Sequence, residues 1–204
     1  MRLIGMLDSP FVRRVAVSCK FMGLPFTHEA LSVFRDYDAF AAINPAVKAP
    51  SFVTDDGVVL MDSSLILDYL ERLALPERRL TPADIGEVAR SLRIVGLAQI
   101  AAEKAVQIYY ELNKRPDDKR HQPWLDRAEG QLHGVYAALE NELGDAPGWL
   151  FGQRPMLADI TTVTAWRFSK DYLSEYLHAE RYPRLAAFSA RAEALPEFES
   201  TPAE

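Results

Sequence analysis

Apolar and polar positions along this chain follow two different rhythms, one before Leu75 and one after it. In the first stretch short apolar runs alternate with helical spacing. Leu3 to Leu7 reads as a short buried strand. From Pro10 to Gly23 the spacing is helical, with Val12, Val15, Ala16, Cys19 and Met22 on one face and Arg13, Arg14 and Lys20 away from it. Gly23 and Pro25 stop that helix. Phe26 to Ser32 predicts a second strand, and Tyr37 to Ile43 a helix that ends at Asn44-Pro45. Ser51–Thr54 and Val58–Met61 flank Asp55-Asp56-Gly57, and an Asp-Gly pair between two such runs is a strong hairpin signal. A helix carrying Ile66, Tyr69, Leu70 and Leu73 follows. The order βαβαββα predicts a mixed sheet covered by helices.

Pro76 to Pro82 reads as a linker, and beyond it the strand pattern stops. Ile85, Val88, Ala89, Leu92, Gly96 and Ile100 predict the apolar face of a long helix reaching Lys114. After a polar loop from Pro116 to Pro123, a second long helix runs from Trp124 to Leu143 and ends at Gly144-Asp145-Ala146-Pro147-Gly148. Shorter helices are expected from Ala158 to Tyr172 and from Arg184 to Leu195. The expected organisation is an α/β domain over residues 1–76, a linker at 77–83 and an all-helical bundle over 84–204.

Composition narrows the function classes. A net charge of −6 argues against general phosphate-backbone binding, which needs a basic surface. The single cysteine, Cys19, forms no internal disulfide. The apolar N-terminal run is too short for a signal-peptide core, and no stretch approaches membrane-spanning length. A cytoplasmic globular protein with no nucleic-acid or membrane partner is expected. His28, His121, His133 and His178 show no zinc-ligand spacing, and no phosphate-binding or dinucleotide glycine motif is present.

Four local motifs stand out: Ser9-Pro10-Phe11-Val12-Arg13-Arg14-Val15 after the first strand; Asn44-Pro45-Ala46-Val47-Lys48-Ala49-Pro50; Asp62-Ser63-Ser64-Leu65-Ile66-Leu67-Asp68-Tyr69-Leu70; and Leu157-Ala158-Asp159-Ile160. In this order and at these spacings the chain resembles the cytosolic glutathione transferase superfamily, in its bacterial serine- or cysteine-type branch. The resemblance implies a thioredoxin-like first domain and glutathione as cosubstrate, with no metal or other cofactor. It also implies a homodimer whose contact includes the long helix from Ile85. Some positions depart from the family pattern. Val47 stands where Gly is frequent, Ala49 where Val is usual, and Asp62 where Glu or Gln is commoner. Met156 replaces a Ser or Thr and lacks the hydroxyl that completes a capping box with Asp159.

On the residues alone, Ser9-Pro10 is an N-cap followed by a first-turn proline. The resemblance makes Ser9 the catalytic residue, donating to the glutathione thiolate near the positive end of the helix. It implies that Ala49, before a cis Pro50, pairs with the cysteinyl backbone of glutathione. Asp62 and Ser63 would hold the γ-glutamyl carboxylate, and Lys48 the glycine carboxylate. Phe11 and Phe34 join this set at the edge of the acceptor site, expected where the domains meet and lined further by Tyr109, Tyr110 and Trp166. Cys19, on the apolar face of its helix, reads as a core residue. The expected reaction is conjugation of glutathione to a small hydrophobic electrophile, with a peroxidase side activity fitting the same thiolate. A non-catalytic binding or regulatory protein on the same fold is the alternative, and dehalogenation or isomerisation using glutathione is a third reading.

Overall fold

The computed structural model describes residues 1–144 and 148–203. The middle of the expected 144–148 turn, Asp145 to Pro147, lies outside the described residues. The chain forms two compact units, Met1–Thr81 together with Leu195–Glu204, and Pro82–Ala194.

In the first unit the elements are β1 (Arg2–Ile4), α1 (Pro10–Met22), β2 (Thr27–Glu29), α2 (Tyr37–Ile43), β3 (Ser51–Val53), β4 (Val59–Met61) and α3 (Ser63–Leu73). The sheet order is β2-β1-β3-β4. β1 and β2 are parallel, which requires the crossover that α1 supplies, and the other pairs are antiparallel. Phe52 lies opposite Leu3 on one side and Leu60 on the other. Leu3, Ile4 and Phe52 are fully buried, as are Val12, Val15, Ala16 and Cys19 of α1 and Ile66 and Leu70 of α3. Burial pushes the Cys19 thiol up to about 12, so it stays a neutral core group. Gly57 at φ 82° closes the hairpin, its N–H donating to the Thr54 carbonyl.

Two features of this unit go beyond the sequence reading. Arg13 and Arg14 do not face water: they are 2% and 1% exposed. Arg13 is covered by the C-terminal segment, where its Nε donates to the Thr201 carbonyl at 2.7 Å and its guanidinium lies over Phe198. That segment contains the short α9 (Pro196–Glu199) and packs with the first unit rather than with the helices before it. The linker after Pro76 is also tied down. It begins with a 3-10 turn, Leu80 is fully buried, and the Leu80 and Thr81 N–H groups donate to the Glu71 carboxylate.

The second unit contains α4 (Ile85–Asn113), α5 (Gln122–Leu143), α6 (Leu157–Tyr172), α7 (Ser174–Leu177) and α8 (Pro183–Glu193). Its core is Ile94, Val95, Ala98, Ala101, Ala102, Ala105 and Ile108 of α4 against Leu132, Tyr136 and Leu139 of α5 and Ile160, Val163 and Trp166 of α6. The face of α4 predicted as apolar core is instead the outer one, with Ile85 at 81%, Leu92 at 60% and Ile100 at 43% exposure. This helix carries two apolar stripes, and the one rich in alanine lets neighbouring helices approach most closely. Tyr136 donates to the Ala165 carbonyl and meets Ser169 Oγ at 2.7 Å, so its buried hydroxyl is satisfied. Glu140 accepts from the Arg184 and Leu185 N–H groups at the start of α8, where a carboxylate is favoured.

Asp159 is fully buried at the start of α6. Its two oxygens accept from the N–H groups of Leu150 at 2.8 Å and Met156 at 2.9 Å. The sequence gives Met156 no hydroxyl for the reciprocal half of a capping box. The structure corrects the inference drawn from that: the Met156 side chain takes the acceptor position over the N–H of Asp159, with a thioether sulfur, a weak acceptor, in place of oxygen.

Candidate active site

Ser9 caps α1 in extended conformation (φ −67°, ψ 124°), and Pro10 opens the helix. Its Oγ accepts from the Val12 N–H at a long 3.5 Å. That is the weakest end of hydrogen-bond geometry, so the hydroxyl is only loosely engaged as a cap. Ser9 is partly exposed. Its hydroxyl keeps a proton to donate, at a helix end whose N–H groups and dipole favour negative charge. Beside it, burial raises the Asp8 carboxyl, against the pull of the Ser9 N–H and Arg35.

Gly5, just past β1, explains how the other segments come close. At φ 137° it adopts a backbone that side chains rarely take, and a Cβ there would lie 2.7 Å from Val12 of α1 and 3.2 Å from Ala49. Only glycine lets α1 and the Ala49-Pro50 corner close on one another at this point. The corner itself is held by Asn44, which is 1% exposed. Asn44 Nδ2 donates to Ser51 Oγ at 2.8 Å, Ser51 Oγ donates to the Lys48 carbonyl at 2.7 Å, and Asn44 Oδ1 accepts from the Ala46 N–H at 3.0 Å. The Ala49-Pro50 bond is cis. Val47, in the place where Gly is frequent, takes φ 45°, a left-handed backbone costly for a β-branched residue.

At the third segment Asp62 is the N-cap of α3 and has φ 68°. Its Oδ1 accepts from Ser64 N at 2.8 Å and Leu65 N at 3.4 Å. A non-glycine residue with this φ stores strain, a feature common at ligand clamps. Ser63 follows at the first helical position, whose N–H has no partner within the helix. Beneath it lies Arg14, off the apolar face of α1 and yet buried. Arg14 Nη1 donates to Ser63 Oγ at 3.3 Å, and Arg14 Nε is buried without a hydrogen-bond partner. Burial pushes the Arg14 guanidinium down to about 10, and Asp62 pulls it up. Arginine only donates, so Ser63 Oγ is the acceptor and keeps its own proton to donate.

The remaining candidates divide. Phe11 is partly buried on α1, whereas Phe34 is 51% exposed on a turn and Lys48 is exposed. In the helical unit Tyr109 packs against Phe168 and Tyr172. Tyr110 lines a surface cavity of about 500 Å³ with Glu111, Lys114, Arg115, Lys119 and Trp124, where charged side chains border a largely apolar surface. Trp166 does not line a pocket: it is 1% exposed, its ring edge-on to Tyr136 and Tyr182 in the core of its unit. Gly5 and Arg14 were missed. Gly5 sits inside what reads as a continuous apolar strand, and Arg14 reads as a solvated helix position.

Comparisons with known proteins bear on the whole chain. Residues 3–78 match the family described as glutathione S-transferase, N-terminal domain, and residues 122–191 its C-terminal domain. Maleylacetoacetate isomerase of Pseudomonas aeruginosa is 28% identical, over 97% of this chain and 93% of that protein. Glutathione S-transferase GstA of Escherichia coli O157:H7 is 30% identical, over 78% of this chain and 75% of that one. Among solved structures, a glutathione S-transferase of Methylobacterium radiotolerans in complex with glutathione sulfonate superposes with a TM-score of 0.90. It is 30% identical, over 98% of this chain and 93% of that one. A glutathione transferase family member from Pseudomonas fluorescens with bound glutathione gives 0.84 at 26% identity, over 100% of this chain and 98% of that one.

Proposed function

The chain belongs to the glutathione S-transferase family, and on that premise we propose that Ser9 stabilises the glutathione thiolate for transfer to a small electrophile. The observation that carries this reading is the loosely engaged Ser9 hydroxyl at the N-terminus of α1. In the reaction the thiol loses its proton to solvent and the sulfur forms a bond to the electrophilic carbon. The displaced group leaves with its electron pair, or, in an addition, the adjacent carbon takes up a proton. Ala49 offers its backbone to the cysteinyl part of glutathione in the manner of an added strand. Asp62, Ser63 and the first N–H of α3 hold the γ-glutamyl end. Glutathione is the cosubstrate, and no metal or redox group enters.

Retention on immobilised glutathione, with elution by free glutathione, tests the reading, and passage through the column unretained would count against it. A second reading is favoured by the relative named maleylacetoacetate isomerase. There the same thiolate adds to a carbon–carbon double bond, allows rotation and leaves again. Conjugation consumes one glutathione per turnover and isomerisation consumes none, so assay of free thiol separates them. Retention without turnover of either kind would point to a binding protein.

Arg14 supplies a prediction within this site. Arg14→Met leaves the Ser63 hydroxyl without its donor and removes the buried positive charge next to the γ-glutamyl end. A hydrogen bond involving a charged group contributes about 1.5 kcal/mol or more, so the dissociation constant for glutathione should rise about 10-fold by calorimetry. An unchanged constant in a folded variant would confine Arg14 to a structural role.

A homodimer is proposed as well. Its support is the exposed apolar stripe Ile85, Leu92 and Ile100 on α4, which a monomer leaves in water. Light scattering should give about twice the 22.9 kDa chain mass at micromolar concentration. A mass near that of one chain contradicts it.

A further inference from the structure

Among the described residues, Glu129, His133 and His178 each bring one ligand-type atom within 4.8 Å of the others. Glu129 and His133 lie one turn apart on the same face of α5. His178 arrives from the turn after α7, taking a left-handed backbone (φ 49°, ψ 57°), and its ring centre lies 5.6 Å from that of His133. No spacing in the sequence joins the third residue to the first two, which is why no metal pattern is legible there.

The hydrogen bonds around His133 fix which nitrogen faces the cluster. Tyr182 donates its hydroxyl proton to the His133 carbonyl at 3.2 Å. The same oxygen lies 2.7 Å from His133 Nδ1, a contact that serves either tautomer. When Nδ1–H donates to Tyr182, the lone pair is on Nε2 and available to a metal. Nε2 is buried with no hydrogen-bond partner and sits 3.8 Å from Glu129 Oε1. In that tautomer Nε2 and the Glu129 carboxylate are both acceptors, and a cation between them satisfies both. Glu180, 3.8 Å from His178 Nδ1, is the other carboxylate at hand. The local balance, Glu129 and Glu180 against Arg181, is negative.

We propose that Glu129, His133 and His178 form a site for a divalent transition metal, zinc by its donor set, remote in sequence from the residues of the thiolate site. Two imidazoles and a carboxylate are a zinc-type set with the fourth position left to water. Ligand atoms on one zinc lie about 3.3 Å apart, given bonds of about 2.0–2.1 Å. Closing from the present separation requires the His178 ring, 49% exposed, to turn inward. Tyr182 is the supporting partner that holds the His133 ring, as second hydrogen bonds to ligating histidines do. Bound metal would tie α5 to the turn after α7, next to the Tyr182 contacts with His133.

The test uses tag-free full chain stripped with a chelator and titrated with zinc alone against a chromophoric competitor. One zinc per chain, bound with micromolar or tighter affinity, is expected. Cobalt should give the visible absorption of a tetrahedral site. Glu129→Gln and His178→Ala, both at partly open positions, should each weaken zinc more than about 100-fold, and Tyr182→Phe about 10–100-fold. His121→Ala, outside the cluster, should change nothing. Zinc should raise the melting temperature of the wild type and not that of Glu129→Gln. Absence of micromolar binding, or binding that persists in Glu129→Gln and His178→Ala, overturns the proposal.

Discussion

Ser9→Ala is expected to lower glutathione-dependent turnover about 25-fold at neutral pH, while glutathione binding largely survives. A free thiol titrates near pH ~8.5, so only about 3% is thiolate at neutral pH. Lowering that value to about 6.5 needs about 2.7 kcal/mol of preference for the anion and raises the thiolate fraction to about 75%. One hydrogen bond to a charged group supplies about 1.5–3 kcal/mol and a helix N-terminus about 0.3–1. The two together suffice, and the helix end alone does not. The Val12 N–H reaches Ser9 Oγ only at 3.5 Å, so removing the hydroxyl costs the cap little and the effect falls on the sulfur. Arg13 is poorly placed to take over, because its guanidinium is buried against the C-terminal segment. Steady-state rates with saturating glutathione check this. Turnover equal to wild type would reduce Ser9 to a helix cap.

Asp159→Ala should be the most destabilising of the substitutions considered. It strips the acceptor from the Leu150 and Met156 N–H groups, in a side chain with no exposure. Each buried donor left without a partner costs about 1–3 kcal/mol. A loss of about 2–5 kcal/mol is expected, and for a chain of this length that lowers Tm by about 5–15 °C. The pH dependence has a definite sign. Burial raises the Asp159 carboxyl from 3.8 to about 6, over the pull of the Leu150 and Met156 N–H groups and Arg191. The folded value lies above the unfolded one, so its contribution is full below about pH 4 and falls as pH rises through about 6. The gap in Tm between wild type and Asp159→Ala should accordingly be wider at pH 5 than at pH 7.5. A gap that widens with pH would mean that the fold prefers the carboxylate.

The local features of the first unit were legible because each rests on a short-range rule. Ser9-Pro10 caps α1, Asp56-Gly57 closes the hairpin and Asp62 opens α3, all from neighbouring residues alone. What the sequence left hidden depends on distant partners. Arg13 and Arg14 look solvated on a helical wheel. One is buried by a segment at the far end of the chain and the other by the start of α3. On α4 both stripes are apolar, and only the positions of α5 and α6 decide which one becomes core. Trp166 illustrates the same limit: its spacing fits a pocket wall or a core, and Tyr136 and Tyr182 close over it. Gly5 was invisible for another reason, since its role is the space it leaves between Val12 and Ala49.

The central claim is that this chain binds glutathione and holds it as a thiolate at Ser9. Its most direct test is the ultraviolet thiolate absorbance of bound glutathione, followed across pH in wild type and in Ser9→Ala. The account predicts a wild-type midpoint about two pH units below that of free glutathione, moving most of the way back in the variant. A bound thiol that titrates with free glutathione, or a midpoint identical in the two proteins, would contradict it.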